Sequence, residues 1–193
     1  MEAASRDQNL REYEITKHVS LMQLDPGALE ALRRLGGCEI AIPEVLYDLD
    51  FPGHYFRRLK SVGLSIPCVV GPYPGVPVTL KLVKSSIRTQ STVESGYPPV
   101  NDDPRFLDIL AGIQTAAPIS GQNDTGLFES NLHDERFLPF EGMGAISAWR
   151  IELPADFRPF DYDSIVDVIV HIHYTARDGG DDLKSAAIGN LKA

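Results

Sequence analysis

Five stretches of the chain show apolar and polar residues alternating with a period of two, and this period constrains the fold more than any other feature. Tyr13, Ile15, Val19 and Leu21 alternate with Glu14, Thr16, His18 and Ser20. Val62, Leu64 and Ile66 alternate with Ser61, Gly63 and Ser65, and Val78, Leu80 and Leu82 with Thr79 and Lys81. Later, Trp149, Ile151 and Leu153 alternate with Arg150 and Glu152, and Val166, Val168, Val170, Ile172 and Tyr174 with Asp167, His171 and His173. Successive strand side chains point to opposite faces, so each stretch predicts a strand with one side in a core and one in water. Proline and glycine, with 14 and 16 copies, punctuate the remainder. The expected fold is mainly β, an antiparallel β-sandwich of roughly seven to nine strands with short helices at its ends.

Helix is expected in two places. In DPGALEALRRLGG, Asp25 offers an N-cap oxygen, Pro26 fits the first turn, and Gly36 or Gly37 supplies a left-handed stop. A second helix, DDLKSAAIGNL, follows Gly179-Gly180 near the end of the chain. Residues 91 to 105, STVESGYPPVNDDPR, carry proline, glycine and acids without periodicity and read as a mobile surface loop.

A chain of 193 residues can bury a sizeable core, and 43% hydrophobic with 23% charged content excludes wholesale disorder. Residues 12–193 read as a single domain, preceded by a stub or linker over residues 1–11. The balance of 18 Lys+Arg against 27 Asp+Glu leaves a net charge of -9, which argues against nucleic acid and anionic membranes as partners. No run approaches the ~18 apolar residues of a membrane span. The N-terminus, MEAASRDQNLREYE, has no hydrophobic signal core, so standard secretion is not encoded there. Cys38 and Cys68 each sit on the apolar register of a strand and read as buried free thiols.

Motifs that could carry chemistry fail on their context. GMGAIS, residues 142 to 147, half-matches a dinucleotide loop, but Ser147 stands where the third glycine belongs and a strand follows instead of a helix. His171 and His173 share one strand face without the further ligands that zinc needs, so no metal and no cofactor is expected. The acids Asp124, Glu129, Asp134 and Glu135 have no separation that sequence can fix, so a glycosidase pair is unsupported.

Residues 48 to 62, DLDFPGHYFRRLKSV, concentrate acids, aromatics and cations. Here Asp48 and Asp50 are expected to cap a turn that Pro52-Gly53 reverses, with His54 beside it and a strand running from Tyr55 to Pro67. Arg57, Arg58 and Lys60 would then lie beside the preceding acids as structural ion pairs, with no catalytic residue among them.

The long runs REYEITKHVSL, LDPGALEALRRLGGCEI, PEVLYDLDFPGHYFRRLKSVGLSIPCVVGPY, SGQNDTGLFE, DERFLPFEGMGAISAWRIELP and FDYDSIVDVIVHIHYTAR extend the comparison across nearly the whole chain. Together they resemble the C-terminal domain of the A component of bacterial Tc (toxin complex) insecticidal toxins. The resemblance implies a non-enzymatic docking domain of an extracellular toxin complex. In that family the A component is a pentameric translocation channel, and this domain binds the β-propeller of the B component in a B–C cocoon. Other A-component protomers are then partners too, and the class of alternative to weigh is a carbohydrate-binding or hydrolytic β-sandwich.

Residues 133 to 144, HDERFLPFEGMG, have the composition of an interface. Arg136, Phe137 and Phe140 stand among Asp134, Glu135 and Glu141, the aromatic and arginine anchors ringed by charge that interface centres favour. Two expectations coexist there: a partner-facing loop, or a plug in which Phe137 and Phe140 fold back over the end of the sandwich.

Overall fold

The computed structural model describes residues 11–68, 75–110, 112, 114–121, 127–129, 139–156, 158 and 160–193. Among them run nine strands: β1 (Glu12–Ser20), β2 (Gly37–Ile42), β3 (His54–Pro67), β4 (Gly75–Arg88), β5 (Phe106–Leu110), β6 (Gln114–Gly121), β7 (Leu127–Glu129), β8 (Ile146–Glu152) and β9 (Ile169–Asp178). Four helices accompany them: α1 (Leu21–Leu24), α2 (Pro26–Leu35), α3 (Glu44–Asp48) and α4 (Gly180–Lys192). Hydrogen bonding follows the order β1-β9-β3-β7-β6-β4-β8-β2, with β5 paired to β4 and every described pairing antiparallel. The ladder doubles back, so β1-β9-β3 form one layer, β4-β8-β2 form the other, and the short β7-β6 step joins them. This is the mainly β sandwich that the alternation implies.

One apolar core lies between the layers. Val62, Leu64, Ile66, Val78, Leu80, Trp149, Ile151, Val168, Val170 and Ile172, all on the apolar register of the sequence, are buried in a single cluster. Each aliphatic side chain there contributes roughly 1.5–3 kcal/mol through burial. Helix α2 starts at Asp25, whose carboxylate accepts from the Ala28 N–H at 3.0 Å, and stops at Gly36 with φ 76°. Its face bearing Ala28, Leu29 and Leu32 completes the core over β2. Cys38 and Cys68 are free and buried, and burial pushes both thiols up to about 11.

Three local departures from the sequence pattern have identifiable causes. Strand β9 begins at Ile169 and not at Val166, which is 61% exposed. A 3-10 turn at Tyr162–Ser164 precedes it, and the Arg33 guanidinium holds the Ile165 and Val166 carbonyls outside the ladder. Strand β3 carries bulges between Tyr55 and Arg58 and between Leu59 and Ser61, which break the simple alternation. The third departure is GMGAIS, where one glycine serves a left-handed turn and the other a close packing contact. Gly142 adopts φ 82°, and a Cβ on Gly144 would stand 2.1 Å from the Ser86 carbonyl oxygen, so the chain crosses β4 backbone to backbone.

Two substitutions test this core. Val170→Asp would bury a carboxylate without a partner, and we expect circular dichroism to show no cooperative thermal transition. Gly144→Ala should cost about 1–3 kcal/mol in chemical denaturation, because β4 has no room to yield.

Candidate functional site

The charged run around Pro52-Gly53 opens into a buried ion network. Strand β3 makes this possible at Phe56, a non-glycine residue with φ 53° inside the first bulge. That backbone flip turns Arg57 into the interior, where it is 2% exposed. Its guanidinium donates to Asp48 Oδ1 at 2.7 Å, Glu44 Oε1 at 3.3 Å and the Phe51 carbonyl at 3.1 Å. From the end of β4, Arg88 grips the same Glu44 through both carboxylate oxygens, at 2.9 and 2.8 Å. Tyr97 closes the circuit: its hydroxyl donates to Asp48 Oδ2, its carbonyl accepts from Arg88 at 2.7 Å, and the Arg88 guanidinium lies 4.6 Å from its ring centroid. Burial above all, with Glu44 and Asp48 beside it, drives the Tyr97 hydroxyl far above its ordinary pKa.

A second cluster secures the loop between β4 and β5. Arg105, 3% exposed, donates to the carbonyls of Thr92, Gly96 and Pro98 and to both oxygens of Asp103. Thr89 closes the loop's base through its N–H and hydroxyl, both on the Arg105 carbonyl. Residues 91 to 105, expected as a mobile surface loop, are thus tied to Arg105 at three backbone carbonyls and at Asp103. The Arg105 guanidinium, followed by the backbone N–H groups of Arg105 and Val100, holds the Asp103 carboxyl well below the usual carboxylate range.

The other residues of the charged run disperse. Asp48 does not cap a turn; it ends α3, fully buried, and neutralises Arg57. Asp50 stays near the surface and pairs with Lys17 at 2.5 Å. Arg58 reaches Glu12 with two bonds of 2.9 and 3.0 Å, and Lys60 reaches Glu14 at 2.7 Å, so neither pairs with the acids of its own run. Arg177 shares Glu12, and the guanidinium groups of Arg58 and Arg177 both lie against Phe56, 5.0 and 4.1 Å from its ring centroid. His54 stacks on both Phe51 and Tyr13 at 5.3 and 5.4 Å, and burial, reinforced by Arg57, lowers its pKa. Half-buried Pro52 precedes Gly53, which sits with φ 87° against α4, where a Cβ would come 2.6 Å from Lys184 Cα.

Phe140 corrects the interface expectation: it is 1% exposed, edge-on to Trp149 with centroids 4.8 Å apart, and so serves as the plug. Glu141 is exposed, whereas Asp134, Glu135, Arg136 and Phe137 lie outside the described residues. His171 is not a bare strand-face histidine: its Nδ1 meets His18 Nδ1 at 2.6 Å and its Nε2 meets Ser65 Oγ at 2.5 Å. Among the described residues no three His, Cys, Asp or Glu side chains converge as a metal site, and no helix is long and apolar enough to cross a membrane. Sequence reasoning missed Glu44, Arg88, Tyr97, Asp103 and Arg105. Asp103 and Arg105 carried a signal in the run DDPR, whereas Glu44 and Arg88 lie 44 residues apart and carried none.

The fold is thus a β-sandwich whose buried arginines and carboxylates are paired with one another. Residues 1–176 match the Tc toxin complex TcA C-terminal TcB-binding domain family, and the chain belongs to that family. It is 37% identical over 188 residues to toxin subunit YenA2 of Yersinia entomophaga, covering 93% of this chain and 14% of that protein's length. Among solved structures, Yersinia pseudotuberculosis TcaA-TcaB aligns over 86% of this chain and 10% of that one, with 20% identity and a TM-score of 0.47. Morganella morganii TcdA4 aligns over 86% and 8%, with 21% identity and a TM-score of 0.45.

The network gives two expectations. Arg57→Ala should lower unfolding free energy by about 3–5 kcal/mol in urea, because it strands Asp48 in the interior. A depressed carboxylate stabilises the fold above its unfolded pKa of about 3.9, and that contribution is lost as pH falls through the folded value. The melting-temperature gap between wild type and Asp103→Asn should therefore narrow as pH drops from about 6 towards about 3.

Proposed function

We infer that this chain is the part of a Tc toxin A component that docks the B component, acting as a binding surface and not as an enzyme. The match of residues 1–176 to the TcB-binding family carries this reading. In it, the B component presents its β-propeller to the domain, docking couples the B–C cocoon to the translocation channel, and neighbouring A-component protomers complete a pentamer outside the cell. The paired state of the buried titratable groups supports a non-catalytic role, since each charge there is consumed by a structural partner. Of the partner-facing loop expected from sequence, Asp134, Glu135, Arg136, Phe137 and Glu141 remain proposed partner-binding residues.

Purified B component tested by biolayer interferometry should bind the chain, and the on-rate should fall as salt rises, because a net charge of -9 favours a partner with basic patches. Absence of binding at micromolar concentration would overturn the docking reading. Turnover of an ester, glycoside or phosphate substrate that Asp50→Ala removes would overturn the non-enzymatic one.

A further inference from the structure

On the outer face of β4 and β8 lies a groove of about 960 Å³, walled by the start of α3 on one side and by residues 97–104 on the other. Its apolar lining includes Pro43, Val45, Pro98, Val100 and Ile146. Val45 and Val100 are 36% and 54% exposed. Both walls are held from behind by the buried arginines. Arg88 fixes α3 through Glu44 and the far wall through the Tyr97 carbonyl, while Arg105 fixes the Gly96 and Pro98 carbonyls. Hydrogen bonds that tie a proline-rich apolar lip to the fold from behind lower the ordering cost that binding normally imposes.

We propose that this groove receives an extended segment of the B component, one that places an apolar side chain between Val45 and Val100 beside a Lys or Arg. The proposal rests on the docking reading and adds a preformed anchor to it. Charge selects the occupant. Asp102 and Asp108 stand at the groove against Lys84, which lies 3.8 Å from Asp108, and Asp102 has no ion pair among the described residues. A second copy of a chain with net charge -9 is a poorer match for that acidic rim than a basic segment is.

The experiment compares wild type, Val100→Arg, Asp102→Lys and Leu35→Arg for binding to purified B component, with melting temperature and sedimentation run on each. Leu35, 75% exposed on α2, is the control surface. Val100→Arg should weaken binding at least tenfold, Asp102→Lys should mainly slow association, and Leu35→Arg should leave both unchanged. If Val100→Arg melts early, Val45→Arg serves in its place, with the same expectation. Wild-type binding that Val100→Arg alters by less than about threefold overturns the groove assignment and leaves the docking reading standing. Equal weakening by Leu35→Arg also overturns it. Failure of wild type to bind removes the docking reading, and the groove assignment falls with it. Self-association of wild type that Val100→Arg abolishes would assign the groove to a second copy instead.

Discussion

Two arginines and two carboxylates are buried together at the α3 end of this sandwich, and its arrangement follows from the need to keep them paired. Arg57 and Arg88 are 2% and 1% exposed, and Asp48 is fully buried. Ions removed from water forfeit several kcal/mol each unless partners and hydrogen bonds replace their hydration. Glu44, shared between the two guanidinium groups, is where the demands of β3 and β4 meet. Glu44 and Asp48 lie 44 and 49 residues from their partners Arg88 and Tyr97, so the full network exists once both layers, α3 and the following loop are in place together.

Tyr97 transmits that constraint outward. Its hydroxyl is bound to Asp48, and its ring packs in a small apolar cluster with Leu183 and Ala187 of α4. The same helix presses on Gly53, whose carbonyl accepts from the Gly179 N–H at 2.9 Å. The Pro52-Gly53 reversal is thus a seat for the C-terminal helix as well as the entry to β3. The left-handed backbone at Phe56 is stabilised twice over: Arg57 is drawn inward by acids, and the Phe56 ring packs against the guanidinium groups of Arg58 and Arg177.

Legibility in the sequence depended on the range of the interaction. Alternating strands, the Asp25 cap with the Gly36 stop, and the α4 helix are local matters of side-chain direction and backbone preference, and residues such as Val62, Leu80 and Trp149 announced their burial through them. Arg88 gave no such sign, because an arginine after an apolar run reads as the solvated end of a strand. Phe140 illustrates the opposite ambiguity. Its neighbours Glu141 and Gly142 look like a surface loop, and only contact with Trp149, nine residues on, decides that the ring points inward.

The sequence by itself determined the sandwich class, the core-facing register of its strands, the free buried cysteines and, through long ordered runs, the toxin-complex family. These follow from short-range periodicity and from residue order, which a linear text preserves. Tertiary structure decided which acid meets which arginine, that Arg105 ties down the proline-rich loop, and that an apolar groove opens beside it. Such features arise where β3, β4, α3 and residues 91–105 converge, and pairing between charges so far apart in sequence is set by the bulge at Phe56 and the closing of two layers, not by any neighbour in the chain.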